Sequence, residues 1–99
     1  MYGTVATLKV KPGSQDALAE LNERWWAERG SKVQGAVSSI IYKTDKDPNE
    51  YVLVAVFESK EAYTKNADDP EQDKWFREMA SHFAAEPVWN DGEVVFYKA

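Results

Sequence analysis

The run Tyr51-Val52-Leu53-Val54-Ala55-Val56-Phe57 contains no charged, amide or aliphatic hydroxyl side chain. It is short for a helix, and its β-branched and aromatic content favours an extended strand. Successive side chains of a strand point to opposite faces, so Tyr51, Leu53, Ala55 and Phe57 share one face and Val52, Val54 and Val56 the other. A sheet covered by helices on one side alternates apolar and polar residues. This run does not alternate, so helices must cover one face and something else the other.

The rest of the chain supplies one set of helices and no more. Tyr2 to Val10 reads as a strand, closed by turn chemistry at Lys11-Pro12-Gly13-Ser14. Ser14 is placed to cap a helix running to about Arg29, with Leu18, Leu21 and Trp25 on its apolar stripe and Gly30 as its stop. Gly35 to Lys43 is a second strand. The turn Asp47-Pro48-Asn49-Glu50 is too short for a parallel crossover, so this strand and Tyr51–Phe57 form an antiparallel hairpin. Ser59 opens a helical piece from Lys60 to Asn66, which breaks near Asp68-Asp69. Asp69-Pro70-Glu71-Gln72 restarts it. The restarted helix carries Trp75, Phe76, Met79, His82 and Phe83 and should end before Pro87. Asn90-Asp91-Gly92 reads as a turn and Glu93 to Tyr97 as a last strand.

The order is β-α-β-β-α-β with the second α unit broken. This predicts a single α+β domain over residues 1–99: a ferredoxin-like split fold, with a four-stranded antiparallel sheet and helices on one face. The uncovered face bearing Val52, Val54 and Val56 then predicts a homodimer packed sheet to sheet.

Composition removes several functions. A net charge of −5 opposes binding to nucleic acid. The absence of Cys excludes disulfides, thiolate metal sites and thiol catalysis. No apolar run approaches the ~20 residues of a membrane span, and with no leader pattern visible the expected location is the cytoplasm. One His cannot build a His-rich metal site, and Asp45, Asp47, Asp68 and Asp69 fall where turns and caps favour Asp, so no metal is expected.

Four Trp, five Tyr and four Phe in 99 residues suit a pocket for a flat ligand. Small Ala55 leaves space between Leu53 and Phe57, and bulky Trp75 and Met79 face it from the last helix. Ala6 and Leu8 of the first strand complete an apolar cavity. Tyr63 and His82 are the polar groups within reach, as hydrogen-bond donor and base. The bland readings are a packing Tyr and a half-exposed His near a helix end. Trp26 lies about 100° around the helix from Trp25, which leaves it for a pocket mouth, a partner contact or a rim.

At Phe57-Glu58-Ser59-Lys60-Glu61-Ala62-Tyr63 the chain resembles the antibiotic biosynthesis monooxygenase family, which carries an aromatic-Glu-Ser-x-x-Ala-Tyr/Phe stretch where the third strand enters the next helix. The resemblance implies a dimeric α/β barrel. It implies a monooxygenase that oxidises a small aromatic phenol or quinol with O₂ and needs no cofactor. In such enzymes a Trp falls at Phe57, an Asn at Leu53 and a Tyr at Tyr63, and only the Tyr is kept here. A haem-degrading branch carries a first-strand Asn near Ala6 and a His on the helix corresponding to the one bearing His82. A non-catalytic ligand-binding or structural dimer and a haem binder are the alternatives.

Overall fold

A computed structural model describes residues 1–99. The elements are β1 (Tyr2–Lys9), α1 (Gln15–Glu28), β2 (Ala36–Lys43), β3 (Glu50–Phe57), α2 (Lys60–Ala67), α3 (Pro70–Ala80) and β4 (Val88–Glu93). The four strands form one antiparallel sheet in the order β2-β3-β1-β4, which is the ferredoxin-like arrangement. The all-apolar run is an interior strand, as its two faces require. It pairs with β1 from Tyr2↔Phe57 to Lys9↔Glu50 and with β2 on its other edge.

One face of the sheet carries the core. Ala6 and Leu8 of β1, Leu18 and Leu21 of α1, Tyr51 and Leu53 of β3, and Met79 of α3 are buried together, with Val10 and Phe83 closing one end. On the other face Val5, Ile40, Tyr42 and Val88 are 44–60% exposed, and Val52 and Val54 are half-buried. Val56, on the same side by strand alternation, is already buried within the chain. No helix is long and apolar enough to cross a membrane.

The break in the second helical unit is built from local chemistry. Ser59 Oγ accepts the Ala62 N–H at 3.1 Å to start α2, and Asp69 Oδ1 accepts the Glu71 N–H at 2.9 Å to start α3 at Pro70. Gly35 holds the approach to this region. Its φ is +88°, and a Cβ there would stand 2.7 Å from that of Ala62.

Three local expectations are corrected. Ser14 precedes α1 without a side-chain capping bond. The last helix ends at Ala80, so His82 and Phe83 lie beyond it. There the Lys11 N–H donates to His82 O, the Ala84 N–H donates to Lys9 O, and Phe83 bridges Val10. Pairing with the end of β1 thus takes over backbone groups that a longer helix would use. The last strand is Val88–Glu93, not Glu93–Tyr97. It runs straight through Asn90-Asp91-Gly92, because ladder bonds along β1, with Thr4↔Asp91 and Ala6↔Trp89, outweigh the local turn preference.

Candidate functional site

Between α1, α3 and the sheet lies an open cavity of about 500 Å³, lined by 21 residues of which 14 are hydrophobic. Strand alternation builds its floor. Leu53, Ala55 and Phe57 of β3 point into it, with Thr4 of β1 beside them across the Thr4↔Ala55 pair. Ala55 is the low point. The wall from α1 is Leu21, Asn22, Trp25 and Trp26, and that from α3 is Gln72, Trp75, Phe76 and Met79. Tyr63 of α2 and Trp89 and Asp91 of β4 close the end opposite β2.

The aromatic side chains are fixed by one another. Trp25 and Trp26 meet edge to face with centroids 5.0 Å apart, and Phe57 and Tyr63 do the same at 5.6 Å. Phe76 packs on Trp89 at 5.9 Å, and the Arg24 guanidinium sits 4.8 Å over the Trp75 ring. Both α1 indoles have their N–H groups engaged, Trp25 to Gln72 Oε1 and Trp26 to Ser39 Oγ, each at 2.8 Å. Trp25, expected in the core, is half-buried and lines the cavity instead.

The polar end is different in kind. The Tyr63 hydroxyl donates to Asp91 Oδ1 at 3.1 Å. Burial, and then the neighbouring Asp91 carboxylate, push the phenol up to about 12, while the nearby Thr4 hydroxyl acts in the opposite sense. Tyr63 therefore stays protonated near neutral pH and works as a donor, not a base. Thr4 is only 4% exposed, and its Oγ1 has no hydrogen-bond partner. Closed from solvent, it acts on the neighbouring Tyr63 hydroxyl and not on the open part of the cavity.

Of the residues singled out from the sequence, Leu53, Ala55, Phe57, Tyr63, Trp75 and Met79 line this one space. Ala6 and Leu8 do not; both are wholly buried in the packed core next to it. His82 does not line it either, since it sits on the turn after α3. Thr4, Gln72, Trp89 and Asp91 were not anticipated. Thr4 could have been found, because it shares the inward face of β1 with Ala6 and Leu8. Asp91 was hidden by the turn signal around it. No group of three or more His, Cys, Asp or Glu side chains is arranged to hold a metal ion.

Comparison with known proteins agrees with this architecture. No curated protein sequence matches significantly. Among solved structures, a candidate antibiotic biosynthesis monooxygenase from Caulobacter crescentus superposes with a TM-score of 0.81 at 19% identity, over 96% of this chain and 90% of that one. A candidate from Nitrosomonas europaea gives 0.75 at 19% identity, over 97% and 100%. SnoaB, a cofactor-independent oxygenase from Streptomyces nogalater in a mutant form, gives 0.79 at 14% identity, over 97% and 94%. These likenesses establish the fold. The sequence profile named "Antibiotic biosynthesis monooxygenase" matches residues 1–78, from β1 through most of α3, and by that match the chain belongs to the antibiotic biosynthesis monooxygenase family.

Proposed function

We propose that this protein is a cofactor-independent monooxygenase that binds a small, flat phenol or quinol in the cavity over Ala55 and oxidises it with O₂. The observation that carries the reading is the make-up of the cavity, with aromatic walls and a polar end at Tyr63 and Asp91, in a chain of this family. A structural neighbour, SnoaB, is itself described as a cofactor-independent oxygenase.

The chemistry asks little of the protein beyond binding and proton control. Loss of the hydroxyl proton makes the substrate an electron-rich anion. One electron passes to O₂, the two radicals join as a carbon–peroxide bond, and loss of water leaves a carbonyl at that carbon. A phenol and O₂ thus give a quinone and water. The protein's part is to orient the ring, exclude water and hold the oxygen anion by hydrogen bonds. Tyr63 is kept protonated, and its one hydrogen, held by Asp91 Oδ1 in the empty site, would have to turn to the substrate oxygen to supply such a bond.

A second reading, a ligand-binding protein without catalysis, rests on Leu53 and Phe57. They stand in the cavity without the amide and indole N–H that the resemblance expects at those positions. Titrating the protein with a phenol and quinol panel, while following Trp fluorescence and oxygen uptake, separates the two. Quenching with uptake supports the enzyme, and quenching alone supports the binder. Ala55→Trp fills the floor and should abolish quenching; an unchanged response would remove the cavity as the binding place.

We infer further that the working form is a homodimer. The apolar outer face at Val5, Ile40, Tyr42, Val54 and Val88 is the supporting observation, since a second sheet covers such a face without adding helices.

A further inference from the structure

We propose that Trp26 is a partition that sets the length of the ligand: its ring divides the cavity over Ala55 from a second chamber beside it, so that the site takes compact flat ligands and shuts out extended ones. The proposal rests on the cavity being the ligand site, and adds to that reading the residue that limits the size of what enters.

The floor of the cavity contains one row of residues straight across the sheet. Register pairs join Ser39 of β2 to Ala55 of β3, Ala55 to Thr4 of β1, and Thr4 to Asp91 of β4. At the usual strand spacing the row is about 14 Å long. An aromatic side chain is tied to each end of it. Trp26 Nε1 donates to Ser39 Oγ at 2.8 Å, and the Tyr63 hydroxyl donates to Asp91 Oδ1 at 3.1 Å. Beyond the Trp26 end there is more space. A second cavity of about 350 Å³ runs along β2 over Ile41 and Lys43, beside Tyr51 and under Leu18 and Ala19 of α1. The two cavities share Asn22, Trp26 and Ser39. Ser39 is small, and Asn22 turns its amide back on its own helix, where Nδ2 donates to Leu18 O at 2.9 Å. The Trp26 indole is therefore the one large group between the chambers. Trp25, a residue earlier, lines the first cavity only.

Three contacts make this ring a fixed wall. It meets Trp25 edge to face, it is bonded to Ser39, and it lies back over Gly30, where a Cβ would stand 2.9 Å from Trp26 Cε3. It is also 36% exposed, so it can be cut back without emptying the core.

Isothermal titration calorimetry with 2-naphthol and its 6-methyl, 6-butyl and 6-octyl derivatives tests the partition. In the wild type the longer tails should meet Trp26 or hang in solvent, and affinity should stay flat or fall beyond the methyl. In Trp26→Ala the tails enter the second chamber, and each methylene that does so should tighten binding by up to about fourfold. Trp26→Leu, which shortens the wall without removing it, should give part of the same gain and serves if the alanine variant does not fold. Adding Ala19→Trp to Trp26→Ala refills the second chamber and should cancel the gain. Tails that gain equally in the wild type and in Trp26→Ala overturn the partition and leave the cavity standing, as does a gain that survives Ala19→Trp. Absence of naphthol binding in the wild type and every variant overturns both.

Discussion

The indole N–H of Trp25 donates to Gln72 Oε1 at 2.8 Å, joining the last turn of α1 to the first turn of α3. Gln72 sits three residues after the Asp69 cap, where a capping-box side chain would turn back to the cap N–H. Here it reaches across the cavity instead. Gln72→Leu keeps the bulk and leaves the indole without its partner. Urea unfolding should show a loss of about 1 kcal/mol, with quenching of Trp25 altered. Unchanged unfolding would mean that the bridge carries no net stability.

Val54 lies at the centre of the uncovered face, paired with Val5 on one side and Ile40 on the other. Val54→Lys should place a charge inside the sheet-to-sheet interface, where burial without a partner is expensive. Sedimentation should then show monomer or unfolded chain. A wild type that sediments as a monomer at micromolar concentration would refute the dimer.

Tyr63 gives a signature at high pH. Its phenol is raised from 10.0 to about 12 in the folded state. Above pH 10 the unfolded chain releases this proton while the folded chain keeps it, so stability should fall as pH rises from about 10 to about 12 and then level off. Ultraviolet titration should find one Tyr ionising near pH 12. Tyr63→Phe should remove that late step and flatten the stability profile in the same window. Persistence of the late step in the mutant would assign it elsewhere.

Gly35 combines a φ of +88° with close packing against Ala62 and the Glu58 side chain. Gly35→Ala introduces both backbone strain and a clash at the start of α2. The expected loss is more than about 1 kcal/mol, or a Tm lower by roughly 4–8 °C for each kcal/mol. An unchanged Tm would show that the turn adapts without cost.

The sequence carries the sheet because the signals for it are local and mutually consistent. The apolar Tyr51–Phe57 run, the Asp47-Pro48 turn and the Ser59 and Asp69 caps each act over a few residues, and the structure uses all of them. What it hides depends on distant partners. The periodicity of Phe76, Met79 and Phe83 continues past Ala80, and only the pairing of the following segment with Lys9, Val10 and Lys11 ends the helix there, leaving His82 outside the cavity. Asn90-Asp91-Gly92 has the composition of a turn, and only the exposed edge of β1 makes it a strand. The same edge places Asp91 beside Tyr63 and Thr4. Half of the polar end was therefore legible, through Tyr63, and half was not.

Trp25 and Trp26, held edge to face at 5.0 Å, also have an optical consequence. At that separation the excited states of two indoles mix, and the pair absorbs circularly polarised light as a single chiral chromophore whose sign and strength follow the angle between the rings. One ring is fastened to α3 through Gln72 and the other to β2 through Ser39. Any relative movement of that helix and that strand turns one transition dipole against the other. The wall of the cavity thereby contains its own protractor, and circular dichroism can report any such movement in the unlabelled protein.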